Sequence, residues 1–200
     1  MPELSDNRLT TETAPRKKRI ATASLAGCFG CHMSLLDIDE RIFDLVQLVE
    51  FDRSPLNDLK KFTRRCDIGL IEGGCCNEEN VHTLREFRQN CDVLVAIGQC
   101  AVMGGLPVMR NAIMHSDDPL KECFDEAYLD SPYVYNPRNQ IPNDPALPLI
   151  LDKVYTCIDV VKIDYQIPGC PPSGDTLWQT LTALVNESPS DLPYELIKYD

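Results

Sequence analysis

Short apolar runs separated by polar, helix-periodic segments fill the middle of the chain. Residues 66–73 and 91–98 are each a nearly uninterrupted apolar run that begins at a cysteine and ends at a glycine. Such runs are typical of strands buried on both faces of a parallel sheet. The polar segment between them carries Val81, Leu84 and Phe87 three residues apart, as one face of a helix requires. This stretch therefore predicts a βαβ unit with a right-handed crossover.

The same alternation continues outward from this unit in both directions. Further strands are predicted at 19–25, 45–51 and 161–167. One helix is predicted to begin near Ser34, and four others are predicted at 56–62, 77–90, 101–114 and 175–185. Ser173 or Asp175 can cap the last of these helices. Strands that alternate with helices imply a doubly wound α/β domain, with a parallel sheet and helices on both of its faces.

One proline-rich stretch, residues 130–150, breaks this alternation. Five prolines there are incompatible with regular elements, so we predict an irregular excursion that either packs on a partner or forms a solvated surface loop. The pattern thus predicts a single domain over 19–187, preceded by a polar tail at 1–18 and followed by a C-terminal tail at 188–200.

Composition narrows the class of protein. With 44% hydrophobic residues, a chain of 200 residues can build a core without disulfide staples. Its apolar runs are far shorter than the roughly 18 residues that a membrane helix needs, so no membrane insertion is predicted. A net charge of −12 argues against nucleic acid as the main partner. No export leader is recognisable at the front, so the ten cysteines indicate buried thiols or metal ligation.

Cysteines follow four of the predicted strands, at the carboxyl edge where parallel α/β sheets bind their ligands. Thiolates gathered there would select zinc, copper(I) or an iron–sulfur cluster. Spacing alone leaves six candidates at this edge: Cys28, Cys31, Cys75, Cys76, Cys100 and Cys170. The remaining four are predicted to be ordinary buried thiols: Cys66, Cys91, Cys123 and Cys157.

Four other residues at the same edge are candidates for supporting roles. Gly98 and Gly169 each stand shortly before a cysteine and leave room for a bulky inorganic core. His32 can donate a hydrogen bond to a cluster sulfur or line an interface, unless it is a surface histidine. Glu72 ends a buried strand and is a candidate proton-relay group, the alternative being a solvated carboxylate in a loop.

Three motifs carry a resemblance to a known family. Residues 28–34 (CFGCHMS), 98–101 (GQCA) and 168–172 (PGCPP) occur in the order seen in the small subunit of nickel–iron hydrogenases, which this chain resembles. The resemblance implies a flavodoxin-like domain. It also implies that the cysteines of these motifs bind one 4Fe–4S cluster, with Cys75 and Cys76 outside the ligand set. The implied ligands are Cys28, Cys31, Cys100 and Cys170.

Within that family, the chain is similar to the short small subunits of cytoplasmic, NAD-reducing hydrogenases, because it ends thirty residues after Cys170 without another cysteine. That likeness implies a cytoplasmic complex that converts H2 and NAD+ to NADH. It also implies a large subunit with the nickel–iron centre and a diaphorase module with FMN, an NAD site and further iron–sulfur clusters.

Several other interpretations stay open. The homologous cluster subunit of complex I-type quinone oxidoreductases has adjacent cysteines in its first motif, whereas two residues separate Cys28 from Cys31 here. A hydrogenase with another electron acceptor would use a similar small subunit. Outside this family, four cysteines also suit a structural zinc adaptor. A flavodoxin-like fold could bind FMN on this chain, although no clear phosphate loop supports it.

Overall fold

The structure, a computed structural model, describes residues 16–113, 118–188 and 192–197. Most of the predicted tail at 1–18, and part of the predicted tail at 188–200, therefore lie outside the described residues. Within the described residues, no helix has both the length and the apolar character needed to cross a bilayer.

A five-stranded parallel sheet forms the centre of the fold. Its strands are β1 (Lys18–Ser24), β2 (Val49–Phe51), β3 (Cys66–Glu72), β5 (Cys91–Ile97) and β7 (Tyr165–Ile167). They lie side by side in the order β2-β1-β3-β5-β7, and every pairing is parallel. This is the flavodoxin-like winding, and the predicted doubly wound α/β fold is confirmed. A separate antiparallel pair joins β4 (Cys75–Asn77) to β6 (Ile150–Tyr155).

Helices follow most of these strands. The α-helices are α1 (Gly30–Leu36), α2 (Arg41–Leu48), α3 (Glu78–Asn90), α4 (Gly98–Met103), α5 (Gly105–Ile113), α6 (Pro119–Phe124), α7 (Cys157–Val160) and α8 (Gly174–Val185). A π-helical turn at Asp125–Leu129 extends α6, and a 3-10 turn covers Tyr194–Leu196. The predicted helices at 77–90 and 175–185 are confirmed as α3 and α8. Ser173 is the residue that caps α8, because its side chain accepts the N–H of Thr176 at 3.2 Å.

Two hydrophobic cores lie on opposite faces of the sheet. Successive residues of a strand point to opposite faces, so Ala21 packs in the core beneath α3 while its neighbour Ile20 packs beneath α8. Leu94 and Val95 of β5 divide in the same way between the two cores. The central strands are therefore apolar on both sides, which explains their uninterrupted hydrophobic runs.

Two predicted strands pair in the sheet over fewer residues than expected, the first because part of its apolar run is helical. Only the last three residues of the run at 45–51 pair in the sheet; the others end α2, where Leu45 alone is buried. The strand predicted at 161–167 pairs over its final three residues only. Just before it, Thr156 and Asp159 form a capping box that starts the short helix α7.

Two helix boundaries differ from the predicted ones, and both lie at glycines or at residues with left-handed backbone. The helix predicted near Ser34 begins four residues earlier, at Gly30. The helix predicted over 101–114 is two helices, because Gly104 adopts a φ of +93° between α4 and α5. Residue 114, the predicted end, lies outside the described residues.

The helix predicted over 56–62 is absent, and that prediction is wrong. Side chains bond to the local backbone there in place of helical hydrogen bonds. The Ser54 hydroxyl accepts the N–H of Leu56 at 3.1 Å, and the Asn57 amide oxygen accepts the N–H of Leu59 at 2.8 Å. Serine and asparagine compete with helix formation in this way, and the segment folds into turns.

Asp52 fixes the start and the end of this segment. Its buried carboxylate accepts the N–H of Arg53 at 2.8 Å and the N–H of Thr63 at 2.9 Å, together with the Thr63 hydroxyl. Burial by itself would raise the pKa of Asp52. The hydrogen bonds from Thr63 and Arg53, together with the nearby charge of Arg19, bring that pKa below its ordinary value instead.

We expect Asp52→Asn to lower the free energy of unfolding by about 2 kcal/mol at pH 7, because hydrogen bonds to a charged acceptor are lost. The carboxylate stabilises the fold above its ordinary pKa of about 3.9 and loses this effect as pH falls through its lower folded pKa. The difference between wild type and variant in urea unfolding should therefore shrink below about pH 4. The exposed neighbour Asp58, replaced by Asn, provides the control and should change little; an equal effect of both variants would contradict the prediction.

The proline-rich excursion is irregular from residue 130 to residue 149, as predicted, and β6 begins at its end. Asn136 holds its turn together: the side-chain amide donates to the carbonyls of Tyr128 and Gln140, both at 2.9 Å, and accepts the N–H of Gln140 at 3.1 Å. Tyr133 and Tyr135 are almost fully exposed on this loop. The loop is thus built by local hydrogen bonds while its two tyrosines contact little of this chain.

Candidate metal centre

Three strands of the parallel sheet carry the four cysteines of the motifs to the same edge. Cys28 lies in the turn after β1, and Cys31 lies in the first turn of α1. Cys100 lies on α4, directly after β5, and Cys170 follows β7. Because these strands run parallel, their carboxyl ends meet at one edge of the sheet. Cys28 and Cys170 are exposed, while Cys31 and Cys100 are half-buried.

Backbone hydrogen bonds tie the segments of this edge together. Ala26, in the turn after β1, exchanges two hydrogen bonds with Gly74, which follows β3, at 2.9 and 2.8 Å. The N–H of Gln99, beside the third cysteine, donates to the carbonyl of Gly169 at 2.8 Å, beside the fourth. The cysteine-bearing segments are therefore held in fixed relation by the protein backbone itself.

Two glycines leave the space that two of the sulfurs occupy. A Cβ atom added to Gly98 would stand 2.3 Å from the Cys31 sulfur, and the φ of +80° there is itself unfavourable for other residues. A Cβ on Gly105 would stand 2.9 Å from the Cys100 sulfur. Gly98 is thus where the sequence placed it, beside a cysteine. Gly105 was not among the predicted supporting residues, although its position five residues after Cys100 was visible.

Two thiols of this group, Cys31 and Cys100, have raised pKa values. Burial raises the pKa of the Cys31 thiol, and the charges of Glu72, Cys100 and Cys28 raise it further. Burial also raises the pKa of Cys100, and the charges of Cys170, Cys28 and Glu72 act in the same direction. A backbone hydrogen bond lowers this pKa, but the net effect is a raised value. Thiolates that repel one another suit a cationic iron core, which would neutralise them.

The chemistry of the donors bears on which metal centre they could hold. In the described part of the chain, no three cysteine, histidine or carboxylate side chains are grouped so that they could hold one metal ion. Four thiolates are the usual protein ligands of an iron–sulfur core, and the cysteines of this edge supply that set.

Glu72 and His32 form a buried polar pair that adjoins the first cysteine turn. Glu72 accepts hydrogen bonds from the Ser24 hydroxyl at 2.6 Å and from the backbone N–H of His32 at 3.0 Å. The His32 ring has Nδ1 3.2 Å from Glu72 Oε1 and Nε2 3.0 Å from the Thr22 hydroxyl, and the ring of Phe29 stacks on it. His32 is therefore buried, and both of its ring nitrogens face protein oxygens.

The hydrogen bonds to Glu72 also determine its charge. Burial by itself would raise the pKa of this carboxyl, but the hydrogen bonds from His32 and Ser24 bring it below its ordinary value. Glu72 is consequently ionised at neutral pH. Its negative charge also helps to raise the pKa of the Cys31 thiol, which donates to the carbonyl of Ile97 at 3.7 Å.

The other six cysteines have their main contacts outside this group of four. The predicted buried thiols Cys66 and Cys91 are paired neighbours on β3 and β5, near the start of both strands, and both are buried. Cys157 is also buried and donates to the carbonyl of Gly73 at 3.3 Å, whereas Cys123 is only half-buried.

Cys75 and Cys76, the adjacent pair after β3, contact residues outside the group of four cysteines. Cys75 is fully buried, and the Cys76 sulfur lies 3.3 Å from the Asn80 amide oxygen. Burial raises the pKa of Cys75 to about 12, and the charges acting on it come from Cys76, Arg85 and Asp159. None of these belongs to the group of four.

Comparison with known proteins decides the family. The sequence profile of the family described as NADH ubiquinone oxidoreductase, 20 Kd subunit, matches residues 28–184, a range that includes all four motif cysteines. The NAD-reducing hydrogenase HoxS subunit delta of Cupriavidus necator is 48% identical over 185 residues, which cover 92% of this chain and 86% of that one. The chain belongs to this family, among its hydrogenase small subunits.

Solved and curated members of the family extend the comparison. A crystal structure of an NAD+-reducing [NiFe]-hydrogenase in the H2-reduced state contains a chain that is 47% identical, with a TM-score of 0.86, covering 92% of this chain and all of that one. One subunit of the F420-non-reducing hydrogenase of Methanothermobacter thermautotrophicus is 34% identical, over 88% of this chain but only 56% of its own length. The [NiFeSe]-hydrogenase of Dm. baculatum, 15% identical with a TM-score of 0.52, shares the fold alone.

Proposed function

We propose that this chain is the electron-transfer small subunit of an NAD-reducing nickel–iron hydrogenase, with one 4Fe–4S cluster ligated by the four motif cysteines. One observation carries the proposal: the sheet gathers these cysteines at one edge, in a chain 48% identical to a relative of that name. The reaction of the complex would be H2 + NAD+ = H+ + NADH. The ligands would be Cys28, Cys31, Cys100 and Cys170.

The chain's own residues would hold and insulate the cluster. When bound, the cluster would supply one-electron transfer between the nickel–iron site and the diaphorase. Gly98 and Gly105 leave room for the sulfurs of Cys31 and Cys100. The backbone hydrogen bond from Gln99 to Gly169 holds the segments of the third and fourth ligands in fixed relation to each other. This matters for function because the potential of a cluster depends on how its ligands are placed.

Exposed apolar side chains on both sides of this edge support a multi-subunit assembly. Met33 and Leu36 are exposed on α1 beyond Cys31, and Met103 and Leu106 are exposed near Cys100. Apolar groups concentrated at one edge are characteristic of surfaces that bind other proteins. We therefore propose two partners, a large subunit that carries the nickel–iron site and a diaphorase module that carries FMN, further iron–sulfur clusters and the NAD site.

The supporting residues of the site receive distinct roles in this proposal. Gly98 leaves space for the Cys31 sulfur, whereas Gly169 lets the Cys170 loop turn tightly, since a Cβ there would stand 2.7 Å from the Cα of Pro172. His32 acts through Glu72, since neither ring nitrogen faces a cysteine sulfur. The hydrogen bonds of Glu72 to Ser24 and to the backbone of His32 support a structural role, in which Glu72 anchors the turn that carries the first two cysteines. Its role as a proton relay stays a prediction. A carboxylate that several hydrogen bonds hold in the ionised form is less suited to that role, because it takes up a proton reluctantly.

We place the complex in the cytoplasm. All ten cysteines belong to the described residues and all are free thiols, as a reducing compartment favours. FMN bound to this chain itself stays an unsupported alternative.

Two neighbouring functions within the family have specific support. The matching profile is named for a subunit of NADH ubiquinone oxidoreductase, which favours a complex I-type quinone oxidoreductase as one alternative. The relatives called F420-non-reducing hydrogenases favour a hydrogenase that uses another electron acceptor. Their 34% identity is well below the 48% of the NAD-reducing relative, which is why we prefer NAD reduction.

Anaerobic purification of the tagged chain from its own host tests the proposal. We expect a brown complex with acid-labile sulfide, a nickel-containing large subunit, flavin on the diaphorase and H2-dependent reduction of NAD+. Isolation of the chain with nickel but without NAD+ reduction would support another acceptor, and co-isolation of quinone-reducing subunits would support the complex I-type function. A colourless zinc protein, or a yellow chain with releasable flavin, would overturn the proposal.

A further inference from the structure

Ser34 joins two of the cysteine-bearing segments by a side-chain hydrogen bond. It lies on α1, three residues after Cys31, and is 7% exposed. Its hydroxyl donates to the carbonyl oxygen of Pro172, with the two oxygens 2.5 Å apart. Pro172 stands two residues after Cys170, so this bond spans from the helix of one proposed ligand to the loop of another.

The direction of this bond is unusual for a serine within a helix. Such a hydroxyl commonly bonds to a carbonyl three or four residues earlier in its own helix. Thr180 and Thr182 of α8 do so, with their hydroxyls 2.8 Å from the carbonyl of Thr176 and 2.7 Å from that of Trp178. The hydroxyl of Ser34 bonds instead across 138 positions of sequence.

The loop around Cys170 has few other means of support. Three of the five residues at 168–172 are prolines, which lack the N–H group, so the loop is held mainly through its carbonyls. The carbonyl of Gly169 accepts the N–H of Gln99, and that of Pro172 accepts the hydroxyl of Ser34.

Helix α1 also lies against the residue that follows this loop. A Cβ on Gly174, the first residue of α8, would stand 2.9 Å from the carbonyl oxygen of Asp37, just after α1. A Cβ on Gly30, the first residue of α1, would stand 4.0 Å from the side chain of Pro171. The loop therefore runs along α1, and Ser34 is placed between these two close approaches.

We propose that Ser34 is a positioning residue for the iron–sulfur cluster: its hydroxyl fixes the Cys170 loop on the helix that carries Cys31. This inference rests on the ligand set of the proposed function. Without the bond, the exposed loop can move outward and admit water to the cluster. Water stabilises the more negative, reduced state, so the reduction potential rises. Chelators also reach the iron more easily.

The test uses the complete complex and compares Ser34→Ala with Thr180→Val. Both changes remove a buried hydroxyl, but Thr180 is 5% exposed and bonds only within α8. For Ser34→Ala, we expect the rate of iron loss to a chelator to rise about tenfold, the factor that one lost buried hydrogen bond can give. The ratio of reduced to oxidised cluster at a fixed ambient potential should rise about threefold, equivalent to about 30 mV at 59 mV per tenfold.

Thr180→Val should leave both quantities at wild-type values. Ser34→Cys retains a weak donor and should give an intermediate change, which keeps the test available if Ser34→Ala does not assemble. If both Ser34 variants match Thr180→Val in chelation rate and potential, the positioning role is overturned while the proposed function stands. A wild-type complex that contains no cluster would overturn the proposed function and this inference with it.

Discussion

Replacement of Cys170 by alanine is expected to abolish the paramagnetic resonance signal of the reduced cluster, or to convert it to that of a cluster with fewer irons. Cys170 is exposed and enters the site from the loop after β7, so no other described cysteine is positioned to take its place from that segment. A four-iron cluster requires four protein ligands of this kind. The measurement is the low-temperature spectrum of the reduced complex, together with its iron and sulfide content.

Cys76→Ala is the matched control for this experiment. Cys76 also stands at the carboxyl edge and is half-buried, but its sulfur contacts Asn80. The spectrum and the iron content of this variant should equal those of wild type. An unchanged spectrum in Cys170→Ala, or a lost signal in Cys76→Ala, would mean that the ligand set is wrongly assigned.

Gly98→Ala should have a comparably large effect without replacing a ligand. The backbone there has a φ of +80°, which costs a residue with a Cβ about 1–2 kcal/mol. The new Cβ would also stand 2.3 Å from the Cys31 sulfur, a distance that forces this ligand to move. We expect the cluster content of the purified complex to fall roughly tenfold, since 1.4 kcal/mol corresponds to a factor of ten.

Gly27→Ala provides the comparison at the same edge of the sheet. Apart from the two residues adjoining it in the chain, a Cβ there would stand no closer than 3.3 Å to any atom, the nearest being the Cα of Gly73. This variant should keep most of its cluster. Full cluster content in Gly98→Ala would mean that the space beside Cys31 is not required for ligation.

The sequence predicted the central strands well because burial on both faces leaves a strong signal. β3 and β5 are apolar in nearly every position, and helices then follow from the spacing of side chains such as Leu84 and Phe87. The segment after Asp52 was mispredicted because its conformation depends on side-chain bonds to the backbone, including one to the distant Thr63. The spacing of hydrophobic residues in the sequence does not indicate such hydrogen bonds.

The candidate site, like the fold, could be predicted from the sequence only in part. Placement at strand ends selected six cysteines, and only the resemblance separated Cys75 and Cys76 from the others. The position of Gly105 beside the Cys100 sulfur depends on the left-handed backbone between α4 and α5, which the sequence marks only as a pair of glycines. The bond from Ser34 to Pro172 joins residues too far apart in sequence for any local pattern to indicate it.

The wide spacing of the four cysteines along the chain has a consequence for biogenesis. Cys31, Cys100 and Cys170 follow one another at intervals of roughly seventy residues, so closing such loops in an unfolded chain would be entropically unfavourable. The sheet must therefore be assembled before the sulfurs meet. We expect iron and sulfide to be inserted late, into an apoprotein that is already folded, and the exposure of Cys28 and Cys170 leaves a route for that delivery until a neighbouring subunit covers it.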